Sequence, residues 1–591
     1  MRLFDSAGAH HRGGENGMAN PGAGLPVRRD AAETRLAARG RPTIVGFDTE
    51  DGGKGDPFLW GFVHDSGNAC YRSRADALDF LEKLGREGKA NGRGAQVWAT
   101  NLEYDLVNLF DRDRVVEVAL RFGRSALVGA SWRGVDFRDT VRHLPASVAD
   151  LGELVGLPKL EADLFERGRP DTEADFNRYQ RRCLRDAAIT RRAAVRLWEQ
   201  AEEFDQRPRM TLASTALNVW KTNYWKGETY RPNPDVYSAA FSAYHGGRTQ
   251  AFALGEFADV TAIDVASMFP WAMVSRRFPL PWGLHRRVRR GEPVQDCGIY
   301  HVEIRSELER PRLPVRTMNG TIYPNGKWNG WYVGEELRAF VAAGGRARVL
   351  RGFEFLESCD PFTDYVGAMF EKKQGARGLA RLYYKLMLNS LYGKFGQQGR
   401  VVRAVPLARF EKMRAAPTSW REWNGLAIFS KEGAPPPWGN MVWPAFVTAR
   451  ARVRLAAELD RLAASDCRPL YCDTDSVMFQ GEARYPETAP RIGAFERRGH
   501  YGTMLIVGKK EYALALGGGK WDVHAKGVPF VERMRYLREG VAEFERPTRI
   551  RESARTGNKA NVWRRVRKQR HVTSRTVPQA DGTLPVERID A

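Results

Sequence analysis

Cysteine is sparse in this chain of 591 residues, and Cys70, Cys183, Cys297, Cys359, Cys467 and Cys472 form no CxxC spacing. That pattern excludes a disulfide framework and a cysteine zinc site, and it fits a reducing, intracellular compartment. Histidine is equally thin: ten residues without zinc spacing, two of them (His10 and His11) near the start. Long apolar runs are missing as well. The first forty residues are rich in Gly, Ala, Arg and His and hold no continuous apolar stretch, which argues against a signal peptide or a membrane anchor. They read as a mobile tail, and Met18 is an alternative start. Acidic residues are the minority charge, 71 against 93 Lys and Arg, so the chain carries net +22. A polyanion is the expected partner, nucleic acid first and an anionic membrane surface second. No internal repeat is found, which argues against a solenoid.

What is present is enough for several cores, since 43% of the residues are hydrophobic and 11% aromatic. A multidomain protein follows. "RPTIVGF" reads as a buried strand that ends on Asp48 and Glu50, with "GDPFLWGFVHD" as its hairpin partner. "ADALDFLEKLG" reads as a helix closed by Gly85, "GAQVWATNLEYDLVNLF" as strand into helix, and "RRCLRDAAITRRAAVRLWEQAEEF" as a long helix. Strands alternating with helices predict an α/β domain to about Phe204. A second block begins near "TLASTALNVW" and carries strands at "VTAIDVASMF" and "RPLYCDTDSVMF". Between them lies "FTDYVGAMFEKKQGARGLARLYYKLMLNSLYG", rich in helix formers, Lys and Arg.

In "YCDTDSVMF" two carboxylates, Asp473 and Asp475, interrupt an apolar run, where a charge is costly unless paired or metal-bound. Asp264 ends another apolar strand in "AIDVASMFP" and meets the same difficulty. Each could simply cap a turn. Side by side, the two strands would bring Asp264 and Asp475 to one point that a divalent cation neutralises. Mg²⁺ suits a site of few carboxylates completed by water and phosphates, and two ions about 3.5–4 Å apart can activate a hydroxyl and stabilise a leaving phosphate oxygen. Lys385, Asn389 and Tyr392, at i, i+4 and i+7, share one helix face, with Arg381 and Lys373 upstream. This is either a solvated basic face or a cradle for a triphosphate.

These stretches together resemble family B DNA polymerases. "DVASMFP" resembles their motif A, "KLMLNSLYG" motif B and "YCDTDS" motif C, in the family's order; "YHGG" at 244–247, "TARAR" at 448–452 and "KEY" at 510–512 resemble their YxGG, template-contact and primer-terminus motifs. The resemblance covers about residues 43–530 and implies a right-hand polymerase in which two Mg²⁺ or Mn²⁺ ions per site are held by Asp264, Asp475 and the Val265 carbonyl. Asp473 is implied as their neighbour. Lys373, Arg381 and Lys385 would grip the triphosphate, with Ser267 in the nucleotide site. Asn389 would hold nucleotide or template, and Tyr392 would lie under the nascent base pair. Phe269 stands where the family has Tyr, and its ring implies dNTP selectivity. Tyr244, Gly246, Gly247, Thr448, Arg452, Lys510 and Tyr512 would contact DNA.

The amino-terminal block resembles the DEDD 3′–5′ exonucleases, an RNase H-like fold, through Asp48 and Glu50 in "FDTE", Asp105 in "NLEYD" and Asp186 in "CLRD". Four acids can hold two metals around the last phosphodiester. Asn101, Tyr104 and Thr140 are implied contacts of the frayed 3′ end, and Lys159 in "GLPKL" is a further candidate. One departure stands out: Arg182 occupies the place of the Tyr that orients the attacking water, and the nearest tyrosine is Tyr179. Hydrolysis is therefore either slowed or supported electrostatically by Arg182.

Two long intervals resemble the terminal-protein regions of the protein-primed branch found in small phages, linear plasmids and mitochondrial plasmids. The expected fold is α/β and α+β multidomain: a tail at 1–40, an exonuclease at 41–204, palm at 205–275, a first insertion at 276–360, fingers at 361–396, a second insertion at 397–437, palm again at 438–528, then a thumb and basic carboxy-terminus at 529–591. "NVWRRVRKQRH" in the last block reads as a solvated helix face or a thumb surface that follows phosphates. The implied partners are primer-template DNA, dNTPs and a terminal protein, with no membrane, for a monomer in a host cytoplasm. Rival readings are a primer-independent family B polymerase, a DEDD nuclease with a degenerate polymerase body, and a non-catalytic DNA-binding protein.

Overall fold

The computed structural model describes residues 40–52, 56–111, 113–123, 126–160, 169–318, 320–413, 417–488, 491–557, 563–570 and 577–590. The tail expected at 1–40 lies, apart from Gly40, outside the described residues.

The amino-terminal block is one seven-stranded sheet in the order Gly67–Tyr71, Pro57–His64, Thr43–Asp51, Ala95–Ala99, Val135–Asp139, Leu127–Trp132, Ala119–Phe122. The first three strands run antiparallel, and Thr43–Asp51, Ala95–Ala99 and Val135–Asp139 run parallel. Thr43–Asp51 is almost wholly buried, so it reads as a continuous β-branched and aromatic run rather than an alternating one. The long helix Glu173–Glu202 lies directly on it. A Cβ on Gly46 would sit 1.9 Å from the Ala187 carbonyl oxygen, so only glycine lets this helix approach. Gly85 does not close its helix: Arg74–Ala90 continues past it, and the missing side chain instead admits the Arg133 carbonyl, 2.3 Å from where a Cβ would stand.

A second seven-stranded sheet runs Lys520–Ala525, Glu511–Gly517, Phe495–Gly508, Gly255–Val265, Ser476–Gln480, Arg468–Asp473, Thr249–Ala251, and every neighbouring pair is antiparallel. Ile263, Val265, Cys472, Val477 and Phe479 pack from it against the helix Val442–Ala464. Strands expected from the two Asp-bearing runs are thus neighbours, although the whole excursion separates them in sequence. That excursion forms a sheet of its own, His285–Val288, Arg346–Phe355, Gly298–Ser306 and Asn325–Val333, followed by two basic helices, Thr363–Gly375 and Gly378–Phe395. Trp220, Trp225, Trp282, Phe362, Phe395 and Trp443 make one aromatic cluster that joins these helices to the palm-like layer. Each aromatic contact adds about 0.5–1.5 kcal/mol beyond area burial.

Residues 397–437 carry a three-stranded sheet, Val401–Pro406, Leu426–Lys431 and Trp420–Trp423. Its Trp423, Leu426 and Ile428 join the amino-terminal core, as do Ile550 and Ala554 of the helix Ile550–Thr556. Two expectations for the end of the chain need correction. The run beginning at Asn561 is described from Trp563 as a strand, Trp563–Gln569, paired with Val541–Pro547, because alternate residues turn outward instead of sharing a helical face. Residues 577–590 do not continue a thumb. They run back across the palm-like sheet, where Leu584 N–H donates to the Phe252 carbonyl at 2.8 Å, and finish as Arg588–Asp590, parallel to Asn325–Val333.

Candidate active site

The Asp-Thr-Asp turn is built from its neighbours. Asp473 pairs with Ser476 across the hairpin, which leaves Thr474 and Asp475 to reverse the chain. Thr474 has φ 64°, and the Asp475 N–H donates to the Asp473 carbonyl at 2.7 Å, a tight turn centred on a β-branched residue. Such a conformation is costly and persists only where the surroundings enforce it. They do so here: the Thr474 N–H donates to the Arg248 carbonyl at 2.6 Å. A Cβ on Gly247 would lie 2.7 Å from the Thr474 methyl, so "YHGG" must end in glycine to lie under the turn.

Register does the rest. Ser476 stands opposite Asp264, and the Val265 N–H donates to the Asp475 carbonyl at 2.8 Å. The three aspartates then part company. Asp473 accepts from Thr249 Oγ1 at 2.7 Å and Thr474 Oγ1 at 3.1 Å, with Lys510 Nζ 3.2 Å away. Asp475 has burial and the neighbouring Asp264 against it, and its carboxyl is pushed up to about 7. Burial also raises Asp264, opposed by the guanidinium of Arg498, whose Nε and Nη2 reach Asp264 Oδ2 at 3.0 and 2.7 Å. Asp264 Oδ1 is buried and has no hydrogen-bond partner. Two facing acids, one orphaned oxygen and a backbone carbonyl suit Mg²⁺ or Mn²⁺, which completes its shell with water and phosphate.

Cations gather beside these acids. Lys373 Nζ donates to Ser267 Oγ at 3.3 Å, and its pKa is lowered by burial and then by Arg381 and Lys385. Ser267 is itself left-handed, φ 58°, at the start of the helix Met268–Val274. Phe269 packs on Tyr392 with ring centroids 4.7 Å apart. Asn389 donates to the Lys385 carbonyl at 3.0 Å, one turn back on its own helix.

A second acidic site lies in the amino-terminal sheet. Asp48 and Glu50 end one strand, Asp105 comes from the helix Leu102–Leu109, and Asp186 from the helix packed over Gly46. Asp105 Oδ1 accepts from Thr49 N–H at 3.1 Å and Thr49 Oγ1 at 2.7 Å. Burial, then Asp105 and Asp186, push Asp48 well above the carboxylate range. Glu50 rises to about 7 through burial, against the pull of Arg182. Arg182 Nη2 donates to Glu50 Oε2 at 3.1 Å, while Nε, 3.1 Å from Oε1, is not aligned to donate. Lys159 Nζ reaches Asp186 Oδ2 at 2.5 Å. Glu50 Oε1 and Asp186 Oδ1 are left buried without hydrogen-bond partners, as ligand atoms would be. Among the described residues, no set of three or more His, Cys, Asp or Glu stands in metal-holding geometry. In this site two of the four acids are turned toward cations of the chain itself.

A family profile for "DNA polymerase type B, organellar and viral" matches residues 183–408, from the helix bearing Asp186 into the second small sheet. The DNA-directed DNA polymerase of Enterobacteria phage PRD1 is 28% identical over 430 residues, 67% of this chain and 69% of that one. By these matches the chain is similar to the family B DNA polymerases of the organellar and viral type. The DNA polymerase of Bacillus phage Nf is 25% identical over 368 residues, 58% of this chain and 60% of that one. A probable DNA polymerase of Neurospora intermedia is 30% identical over 207 residues, a stretch that takes in only 21% of that longer chain. The phi29 DNA polymerase, solved with primer-template DNA and incoming nucleotide, shares the fold at TM-score 0.68 and 17% identity, over 90% of this chain and 100% of that one.

Several residues expected at a DNA surface lie inside the protein. Thr448 is 1% exposed, and its hydroxyl donates to the Pro444 carbonyl of its own helix at 3.0 Å. Arg452 is 2% exposed, forks onto Glu336 at 2.6 and 2.7 Å, and donates to the carbonyls of His245 and Gly246 at 2.6 and 2.9 Å. It therefore fixes the 244–247 turn, with Tyr244 half-buried beside it, rather than touching template itself. Thr140 is wholly buried against Thr100 Oγ1 at 2.9 Å and is no strand contact. The Tyr104 hydroxyl donates to Asp51 Oδ2 at 2.6 Å. Asn101 is exposed at the start of its helix, φ 72°. Tyr512 is half-buried between Tyr471 and His524, with centroids 5.0 and 4.5 Å away.

Sequence reading missed Arg498 and Glu496. Glu496 stands opposite Asp264 in the ladder, and Arg498 is the extra residue where the register shifts between Arg497 and Gly499. A period of two in "FERRGHYG" sets Arg498 on the Glu496 face, but nothing local says that this strand lies beside Asp264.

Proposed function

We propose that this polymerase extends DNA 3′ ends with dNTPs on a template, starting from a protein primer and displacing the strand ahead. The observation that carries the reading is the pairing of Ser476 with Asp264, which sets two carboxylates together beside Lys373, Arg381 and Lys385. Mg²⁺ or Mn²⁺, held by Asp264, Asp475 and the Val265 carbonyl, would supply activation of the 3′-hydroxyl and charge stabilisation at the leaving phosphate. The chain's own groups do the positioning. Lys373, Arg381 and Lys385 would bind the triphosphate, the Phe269–Tyr392 pair would wall the sugar and base, and Lys510, beside Asp473, would steady the primer end. Phe269 fills the space of a 2′-hydroxyl, so deoxynucleotides are preferred.

The second insertion and the helix Ile550–Thr556 both seat on the amino-terminal core, and the Ile550 N–H donates to Glu103 at 2.8 Å. Such a closed path supports a polymerase that encloses its duplex and works without a separate clamp. The work takes place in the cytoplasm of a host cell; among the described residues no helix is long and apolar enough to cross a membrane. The Asp48, Glu50, Asp105 and Asp186 site trims 3′ ends slowly, because Arg182 holds Glu50 where the family would place a Tyr.

The test is extension of a primed single-stranded circle, with Asp475→Ala as control. Strand-displaced products longer than the circle from the parent chain, and none from Asp475→Ala, are expected. Equal products from both would end the reading. Omitting primer tests initiation, since long products from template, Mg²⁺ and dNTPs alone would favour the primer-independent alternative.

A further inference from the structure

We propose that Arg498 is a displaceable counter-ion that couples metal binding to nucleotide binding at the polymerase site. The inference rests on reading Asp264 as a metal ligand. Arg498 reaches only one oxygen of Asp264, at 2.7 and 3.0 Å, and leaves Oδ1 buried without a hydrogen-bond partner. Among the described residues its guanidinium has no other hydrogen-bond or ion-pair partner. The Arg498 side chain is 55% exposed against 16% for Asp264, so the guanidinium can swing into water once another cation has taken its place on that carboxylate. A half-exposed ion pair holds weakly, and a divalent cation on the same carboxylate outcompetes it.

The bulge explains why an arginine stands there at all. Arg498 lies two residues beyond Glu496, which stands opposite Asp264, and as the residue left out of the ladder at the bulge it can reach back to that carboxylate. Without metal, that cation faces acids from both neighbouring strands, since Asp264 stands beside Ser476 of the Asp475 turn and opposite Glu496. Once a metal replaces it on Asp264, the guanidinium needs a new anion. A nucleoside triphosphate brings one, and Lys373, Arg381 and Lys385 already mark where it would lie. Linkage then requires each ligand to tighten the other.

The experiment measures Mn²⁺ binding to the full chain by electron paramagnetic resonance, with and without a non-hydrolysable dNTP analogue. A background of Asp48→Ala with Asp186→Ala silences the amino-terminal site. In that background, Arg498→Gln should bind Mn²⁺ about tenfold more tightly without nucleotide, the order that removal of a competing exposed pair implies. The analogue should then tighten Mn²⁺ binding less than in the parent, and Arg498→Lys should fall between. Unchanged or weaker Mn²⁺ binding by folded Arg498→Gln overturns the counter-ion role. If Asp264→Ala leaves Mn²⁺ binding unchanged, the metal-ligand reading fails, and this proposal fails with it.

Discussion

The two acidic sites solve one electrostatic problem with different materials. In the amino-terminal site Asp48, Glu50, Asp105 and Asp186 come from one strand and two helices packed on its sheet, and Arg182 and Lys159 answer two of them from the same block. In the palm, Asp264 and Asp475 come from either side of the long excursion, and a half-exposed Arg498 answers one of them. The first site is held together locally. The second depends on a register, on a strained turn at Thr474, and on a buried clamp at Arg452 that no nearby residue supplies. Cations fixed beside acids compete with a metal, whereas a mobile one yields to it. The difference therefore predicts a slow trimming site and a fast extending site.

The largest effects separate the sites outright. Asp475→Ala should lower primer extension at least about a thousandfold, the scale of losing central electrostatic stabilisation at a reacting phosphate. It should leave degradation of a labelled 3′ end intact. Asp48→Ala should do the reverse. A single-turnover gel assay reads both activities, and loss of both in either variant would break the comparison.

The clamp comes next. Arg452 and Arg450 form twin buried ion pairs with Glu336 and Glu335, fixing the helix Gly334–Ala342 to the helix Val442–Ala464. Arg452→Ala strands a buried Glu336 and frees the 244–247 turn, so unfolding stability should fall by about 3–5 kcal/mol. If the palm site alone relies on this clamp, extension should suffer at a temperature where the variant is folded, while 3′ trimming stays within about twofold, as distant, uncoupled sites allow. Denaturant melts and the same gel assay decide it.

How much of this could be read from residues alone follows the same division. The amino-terminal strands, with Asp48 and Glu50, were legible because the sheet is buried and these acids end a short apolar run, whereas Asp105 and Asp186 lie on helices and were legible only through the resemblance. The meeting of Asp264 with Asp475 was legible only as a demand that both charges be compensated; what meets it, a shared ladder, is a long-range fact. Arg452 and Thr448 were assigned to a surface because arginine and threonine usually lie there, and an ion pair with a distant Glu336 has no local signature. Gly85 read as a helix stop because glycine often is one, whereas here it makes room for a strand turn. Arg498 was invisible because the pairing of its strand with the one that carries Asp264 is long-range.

Trimming offers a gentler test. If Arg182 restrains Glu50, then Arg182→Tyr should raise 3′–5′ degradation about tenfold, the lower range for restoring a group that orients an attacking water. Arg182→Leu, which removes the charge without that group, should raise metal affinity without the same gain in rate. A slower Arg182→Tyr would mean that Arg182 works for the reaction, and the contrast between a held and a displaceable cation would lose its amino-terminal half.

The smallest effect concerns protons. Glu50 and Asp475 are both raised to about 7, Glu50 mainly by burial against the pull of Arg182, Asp475 by burial and then Asp264. Unfolded, an aspartate titrates at about 3.9. A folded value above the unfolded one means that the proton favours the fold: the contribution is complete below pH ~4 and is lost as pH rises through about 7. Asp475 alone should thus make the metal-free chain about 1 kcal/mol less stable at pH 8 than at pH 6. Asp475→Asn should remove that increment, Glu50→Gln should remove a separate one, and saturating Mg²⁺ should erase the Asp475 increment by favouring the ionised form. The two increments part on removing the facing cation: Arg182→Leu takes away the group that holds Glu50 down, so its titration should move upward and the loss of stability should shift to higher pH. Urea melts at pH 6, 7 and 8 read the increments, and an Asp475→Asn profile parallel to the parent's would show that Asp475 is already ionised in the metal-free site.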